Sequence, residues 1–188
     1  MSDLKKIQKI LKENSSPEGK AAHEKFVPGL EKAYGTRAPV INELAKQFQS
    51  GGFELVEELW QCEHIEEKIL AGKLLGRIAK KNPEKTLSLL QLFSKDISDW
   101  AMCDTLAMQA PKKISKSHSK EIFQIANQLV TSKNLWQRRF AIVLSEWYTR
   151  DKSFHPAIKQ LLKKVEHDNE YYVKKAVVWI NRNFKKGR

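Results

Sequence analysis

The chain has 188 residues, 34 Lys and Arg against 22 Asp and Glu, a formal charge of +12, and two cysteines. That length fits one domain able to bury a continuous core without disulfides or metal, and Cys62 and Cys103 show no ligand or redox spacing, which points to a reducing compartment. The opening MSDLKKIQKILKENSS carries no signal-peptide core and no run of about 18 apolar residues occurs, so the expectation is a cytoplasmic, non-membrane protein.

Taken along the chain, the signals are helical. Asp3 opens a helix with Leu4, Ile7, Ile10 and Leu11 on one face, Ser15-Ser16-Pro17-Glu18 ends it and starts the next, and Pro39 starts a third. Acidic residues gather in ELVEELWQCEHIEE (54–67), which makes the charge distribution lopsided. Asn82-Pro83, Pro111 and Pro156 fall at the ends of later periodic segments, as first-turn or stop prolines do. Sustained period-two alternation and Asn-Gly turns are absent, so the chain reads as about ten short helices and no sheet.

A repeat underlies these helices. The segments EKILAGKLLGRIAKK, CDTLAMQAPKK, RRFAIVLSEWYTR and KKAVVWINRNFKK align on Ala71, Ala107, Ala141 and Ala176, spaced by 34 to 36 residues. One helix pair per period is the mark of an α-solenoid, here of divergent HEAT-like units, whose concave face suits an extended partner. The predicted organisation is a single domain over 1–188, with N-terminal helices in 1–50 and helical repeats in 51–188. Basic residues thicken in the second half, among them Lys112, Lys113, Lys116, Lys120, Lys174 and Lys175, so the face available to a polyanion is basic.

Most catalytic templates are missing: no GxxxxGK, GxGxxG, HExxH or GxSxG occurs. His23, His64, His118, His155 and His167 are scattered among polar neighbours and read as surface residues, which disfavours metal and nucleotide chemistry. Tryptophan is the unusual resource. In SDWAMCDTLAMQAP (98–111) Asp104 follows Trp100 by one helical turn, with no basic residue in the stretch. Trp179 stands three residues before Arg182. Core packing accounts for an indole and backbone capping for a carboxylate; alternatively, indoles, a carboxylate and arginines lining one cleft hold a cation against a polyanion.

The WxxxD set at Trp100 and Asp104, WQRRFAI (136–142) and YVKKAVVWINR (172–182) resembles the AlkD-like DNA alkylation repair family, the HEAT-like-repeat alkylpurine DNA glycosylases. PEGKAAHEKFVPGLEKAYGTRAPV (17–40) is similar to that family's second helix and the approach to its third, so the likeness spans nearly the whole chain. The resemblance implies an all-α solenoid with a concave, basic DNA-binding face, a monomer acting on double-stranded DNA that contains alkylated bases. Implied with it is hydrolysis of the N-glycosidic bond of cationic N3- or N7-alkylpurines, without metal or cofactor and without a deep base pocket.

By position, the resemblance makes Asp104 the catalytic carboxylate and Trp100 and Trp179 the indoles flanking the deoxyribose. Arg139 matches a phosphate-binding arginine better than its neighbour Arg138 does, Arg182 matches a second phosphate contact, and Phe26 an aromatic position facing DNA. In this reading Asp104 is ionised, partly buried beside Trp100, and held for a cation that arrives with the substrate. One departure stands out: the sequence ends nine residues after Trp179, where the family continues through another helix pair backing the last repeat. Two rivals keep the fold without the reaction, a non-catalytic binder of DNA structures and a protein-interaction scaffold.

Overall fold

The computed structural model describes residues 1–27 and 32–186, which contain eleven α-helices and no strand. The chain divides into two compact units, Met1–Asn82 and Pro83–Arg188. The first holds α1 (Asp3–Glu13), α2 (Pro17–Phe26), α3 (Ala38–Gln47), α4 (Gly52–Trp60) and α5 (Ile65–Ile78). The second holds α6 (Pro83–Phe93), α7 (Trp100–Gln109), α8 (Ser119–Leu129), α9 (Leu135–Leu144), α10 (His155–Lys163) and α11 (Tyr171–Lys186).

Local chemistry sets the helix starts. Ser2 and Ser16 cap α1 and α2, their hydroxyls accepting from the Lys5 and Gly19 amides, and prolines occupy the first turns of α2, α3 and α10. The second unit is a two-layer stack. α7, α9 and α11 pack side by side in one layer, α6, α8 and α10 in the other, and α8 joins the layers through α9. Ala107, Ala141 and Ala176 are each fully buried in the first of these layers, and Ala71 is equally buried in α5 of the other unit. An added methylene there would overpack the helix contact, so the sequence repeat is a packing repeat.

In the first unit a buried carboxylate shapes the chain between α2 and α3. Glu66, with no exposed surface, accepts the amides of Tyr34 (3.0 Å), Gly35 (2.7 Å) and Thr36 (3.1 Å). Gly35 has φ +82°, and a Cβ on Gly19 would stand 1.9 Å from the Gly35 oxygen, so the Y-G-T turn and α2 meet where side chains have no room. Glu67, also buried, takes hydrogen bonds from Gln8 Nε2 (2.9 Å), the Tyr34 hydroxyl (3.0 Å) and the His64 amide (3.0 Å). The last of these forms a capping box at the start of α5.

The acidic stretch is therefore only partly a solvated face. Nor are all the histidines free at the surface: His64 stacks on Tyr34 with ring centroids 3.9 Å apart, and His23 Nδ1 lies 3.4 Å from Glu66. Cys103 is buried, whereas Cys62 is half-buried, beside Gln8 and the Glu58 carbonyl. Burial and the nearby Glu67 push the Cys62 thiol up to about 11.

Two outcomes are expected. Glu66→Ala leaves three buried amides unpaired and lowers stability by about 3 kcal/mol or more, read as a shifted urea midpoint. Cys62, protonated at pH 8, reacts with iodoacetamide more slowly than free cysteine by on the order of a hundredfold, measured by mass spectrometry of the alkylated chain.

Candidate functional site

The site is built on the α7–α9–α11 layer of the second unit. α7 is capped by Asp99, whose extended backbone lets its carboxylate accept the Met102 amide at 2.8 Å. Capping is thus the work of Asp99, and Asp104, more than one turn further on, is left to meet something else. That partner comes from 35 residues away. Arg139 on α9 donates from Nε to Asp104 Oδ1 (2.9 Å) and from Nη2 to Oδ2 (2.8 Å), a fork-to-fork pair. Its third donor, Nη1, reaches the Tyr172 carbonyl of α11 at 2.6 Å. One guanidinium therefore ties α7, α9 and α11 together.

Asp104 thus has a resident cation, Arg139, in addition to any that the sequence expectation has arriving with a substrate. The two partners differ in exposure. The Arg139 side chain is 7% exposed and that of Asp104 22%, so the guanidinium closes the inner side of the carboxylate and water reaches its outer side. Burial pushes the Asp104 carboxyl above its ordinary value, opposed by the hydrogen bonds and charge of Arg139. The paired geometry holds the ionised form. Each oxygen spends one acceptor site on Arg139, and the carboxylate is also hydrogen-bonded by the neighbouring Cys103.

Around this pair the other expected residues take distinct places. Trp100 is the first residue of α7, half-buried, on the same face as Asp104 and one turn before it. Trp179 is half-buried on α11, two turns beyond Tyr172 and on nearly the same face of the helix. Tyr172 itself packs against Trp136 of α9, ring centroids 4.9 Å apart. Arg182 is exposed, as are Lys174 and Lys175 on the same helix, Lys112, Lys113 and Lys116 before α8, and Lys120 in its first turn. Phe26 ends α2, and its side chain lies outside the described residues.

Arg138 does something different from its neighbour. Its guanidinium pairs with Asp168 (Nε to Oδ2 2.6 Å, Nη2 to Oδ1 3.3 Å) and donates from Nη1 to the carbonyls of Ser132 (2.8 Å) and Lys133 (3.0 Å). It closes the α8–α9 turn onto the α10–α11 turn. Burial acts to raise the Asp168 carboxyl, but hydrogen bonds from Arg138 and the Glu170 amide bring it below its ordinary value. Sequence reasoning found neither the Asp104–Arg139 fork nor the Tyr172 carbonyl. The only available signal was the repeat register, which sets Asp104, Arg139 and Tyr172 three, two and four residues before their respective alanines.

Among the described residues, no helix is long and apolar enough to cross a membrane. A family model described as DNA alkylation repair enzyme matches residues 7–186. Among solved structures, one described as a predicted DNA alkylation repair enzyme from Enterococcus faecalis is similar, with a TM-score of 0.80 and 19% identity over 93% of this chain and 84% of that chain. At that identity the likeness is one of fold. No curated protein matches this chain. With the match covering nearly its full length, the chain belongs to the DNA alkylation repair enzyme family.

Proposed function

We propose that this family member is a DNA glycosylase that hydrolyses the N-glycosidic bond of positively charged N3- or N7-alkylpurines in duplex DNA. The observation that supports the reading is the half-open carboxylate: Asp104 is fixed from behind by Arg139, yet remains 22% exposed on its outer side. Burial has removed part of its water, so it gains most when a positive charge is delivered to that open side.

The proposed chemistry needs little more. A cationic purine leaves without protonation, so no strong general acid is required. As the bond to C1′ breaks, positive charge grows on the deoxyribose, and Asp104 stabilises it while orienting the attacking water, as carboxylates do in glycoside hydrolysis. Trp100 and Trp179 are the proposed walls of the sugar site, where indole faces favour a cation. Arg139, a phosphate contact by the sequence expectation, is buried with Nε, Nη1 and Nη2 committed to Asp104 and the Tyr172 carbonyl, and serves instead as the positioning residue for Asp104. Arg182, exposed on α11, is the proposed phosphate contact, whereas the Arg138 guanidinium is engaged within the fold.

A specific feature favours one second reading. A buried fork between two helices is also what an architectural tie looks like, and a non-catalytic DNA-binding protein would keep it. The two readings separate in a double variant. Asp104→Asn is expected to release free N7-methylguanine from duplex DNA about a hundredfold more slowly than the unaltered chain, with some loss of stability because Arg139 loses its charged partner. Asp104→Asn combined with Arg139→Gln removes both charges together, and is expected to recover stability while staying inactive. An unaltered chain that binds duplex DNA but releases no N7-methylguanine would falsify the catalytic reading and leave the binding one, and excision at the unaltered rate by the double variant would take the catalytic role away from Asp104.

Salt dependence tests the proposed phosphate contact. Arg182→Ala is expected to flatten the log-log salt slope of DNA binding by about one unit, as loss of one phosphate contact does. Arg138→Ala is expected to leave the slope unchanged and to lower the thermal midpoint instead.

A further inference from the structure

The last turn of a helix has carbonyls without intrahelical partners and frays unless side chains hold it. α11 carries Trp179 about two turns before its end, beside the fully buried Ala176 and Ile180. Two contacts secure it from the C-terminal side. Asn183 Nδ2 donates to Glu146 Oε1 at 3.2 Å, and the Phe184 ring meets the His155 ring edge-on, centroids 4.6 Å apart at 88°. His155 is itself fixed, its Nε2–H donating to the Thr149 carbonyl at 2.8 Å.

Position gives the first contact its meaning. Asn183 follows Trp179 by four residues, so the two share a side of α11 one turn apart. Glu146 lies in the 3-10 turn Ser145–Tyr148, which continues directly from α9. α9 also carries Arg139, which holds Asp104 and grips the start of α11 through the Tyr172 carbonyl. One rigid piece, α9 with its following turn, therefore holds the Trp179 helix on both sides of the indole and holds the carboxylate as well.

We infer that the Asn183–Glu146 hydrogen bond, seconded by the Phe184–His155 contact, is the positioning device of Trp179, fixing the indole in register with the Asp104–Arg139 pair. The inference rests on the reading of Trp179 as a residue that contacts the sugar. A half-buried carboxylate and a single amide are a poor choice for packing, since an apolar pair would fill the same space without desolvating a charge. What they supply is direction, because the hydrogen bond forms in only one rotation of α11 against the turn. This is how the fold secures its final tryptophan.

The test uses the full chain labelled with 5-fluorotryptophan, with the Trp179 resonance in the 19F spectrum assigned by its disappearance in Trp179→Phe. Asn183→Ala, which does not weaken the helix itself, is expected to shift or broaden the Trp179 resonance while those of Trp100 and Trp136 stay in place. Its excision of N7-methylguanine should fall about tenfold in kcat with KM for DNA unchanged, the signature of misplacement rather than lost binding. Glu146→Gln keeps an acceptor oxygen and should match the unaltered chain in both readouts. An unmoved Trp179 resonance in Asn183→Ala overturns the inference, and so does a Glu146→Gln spectrum that copies it. A chain that excises nothing while its Trp179 resonance moves as expected retires the glycosylase reading and leaves the positioning device standing.

Discussion

The α7–α9–α11 layer of the second unit depends on one guanidinium. Arg139 places three of its five donors, two on Asp104 and one on the Tyr172 carbonyl, and thereby fixes α7, α9 and α11 against one another. Apolar contact between these helices is extensive but tolerant, since Leu, Ile and Val slide over similar neighbours at small cost. A planar fork is not tolerant: a shift of one residue along any of the three helices breaks at least one of its bonds. Taking both charges out of water costs enough that such a pair adds little net stability. Its contribution is register.

The two units use buried carboxylates to different ends. Glu66 is completely enclosed and accepts three backbone amides, so its oxygens are occupied by the chain that it organises. Glu67 is nearly as enclosed and equally engaged. Asp104 has the same kind of inner anchorage but keeps an outer side open to solvent. Exposure, rather than residue type or depth alone, separates a carboxylate that can meet a ligand from one that has only a structural partner. The thiols follow the same logic: burial raises both Cys62 and Cys103, and neither is set up as a nucleophile.

Much of the architecture was legible because it is local or periodic. Ser16-Pro17 and Pro83 start their helices as read, and the four repeat alanines all prove to be packing positions. The partner of Asp104 was not legible. Arg139 lies 35 residues away, on a helix whose neighbour is decided only when the layers stack, and nothing local in SDWAMCDTLAMQAP announces it. Glu66 and Glu67 were not legible either, because nothing in a run of acids names the amides and hydroxyl that will surround two of them. Arg138 and Arg139 show the limit most sharply. Adjacent in sequence, they stand about 100° apart around α9, which turns one toward Asp104 and the other toward Asp168.

The proposed reaction fits what such a layer can provide. A neutral base leaves only with a proton donor, and an enzyme handling it must enclose the base and tune an acid. A cationic base brings its own leaving-group activation, so the demand on the protein falls to one negative charge and flat apolar walls held at fixed separation. Those are things that packed helices supply without loops: one wall and the charge ride on α7, the other wall on α11, and their spacing is set by side-chain packing and by the Arg139 fork. Rigidity then matters more than enclosure. A carboxylate free to swing would relax onto solvent or a lysine, and the field it offers would be rebuilt at every turnover. Held by two short hydrogen bonds, Asp104 points its open side the same way before and after the charge develops, which is the condition under which electrostatic stabilisation costs no reorganisation.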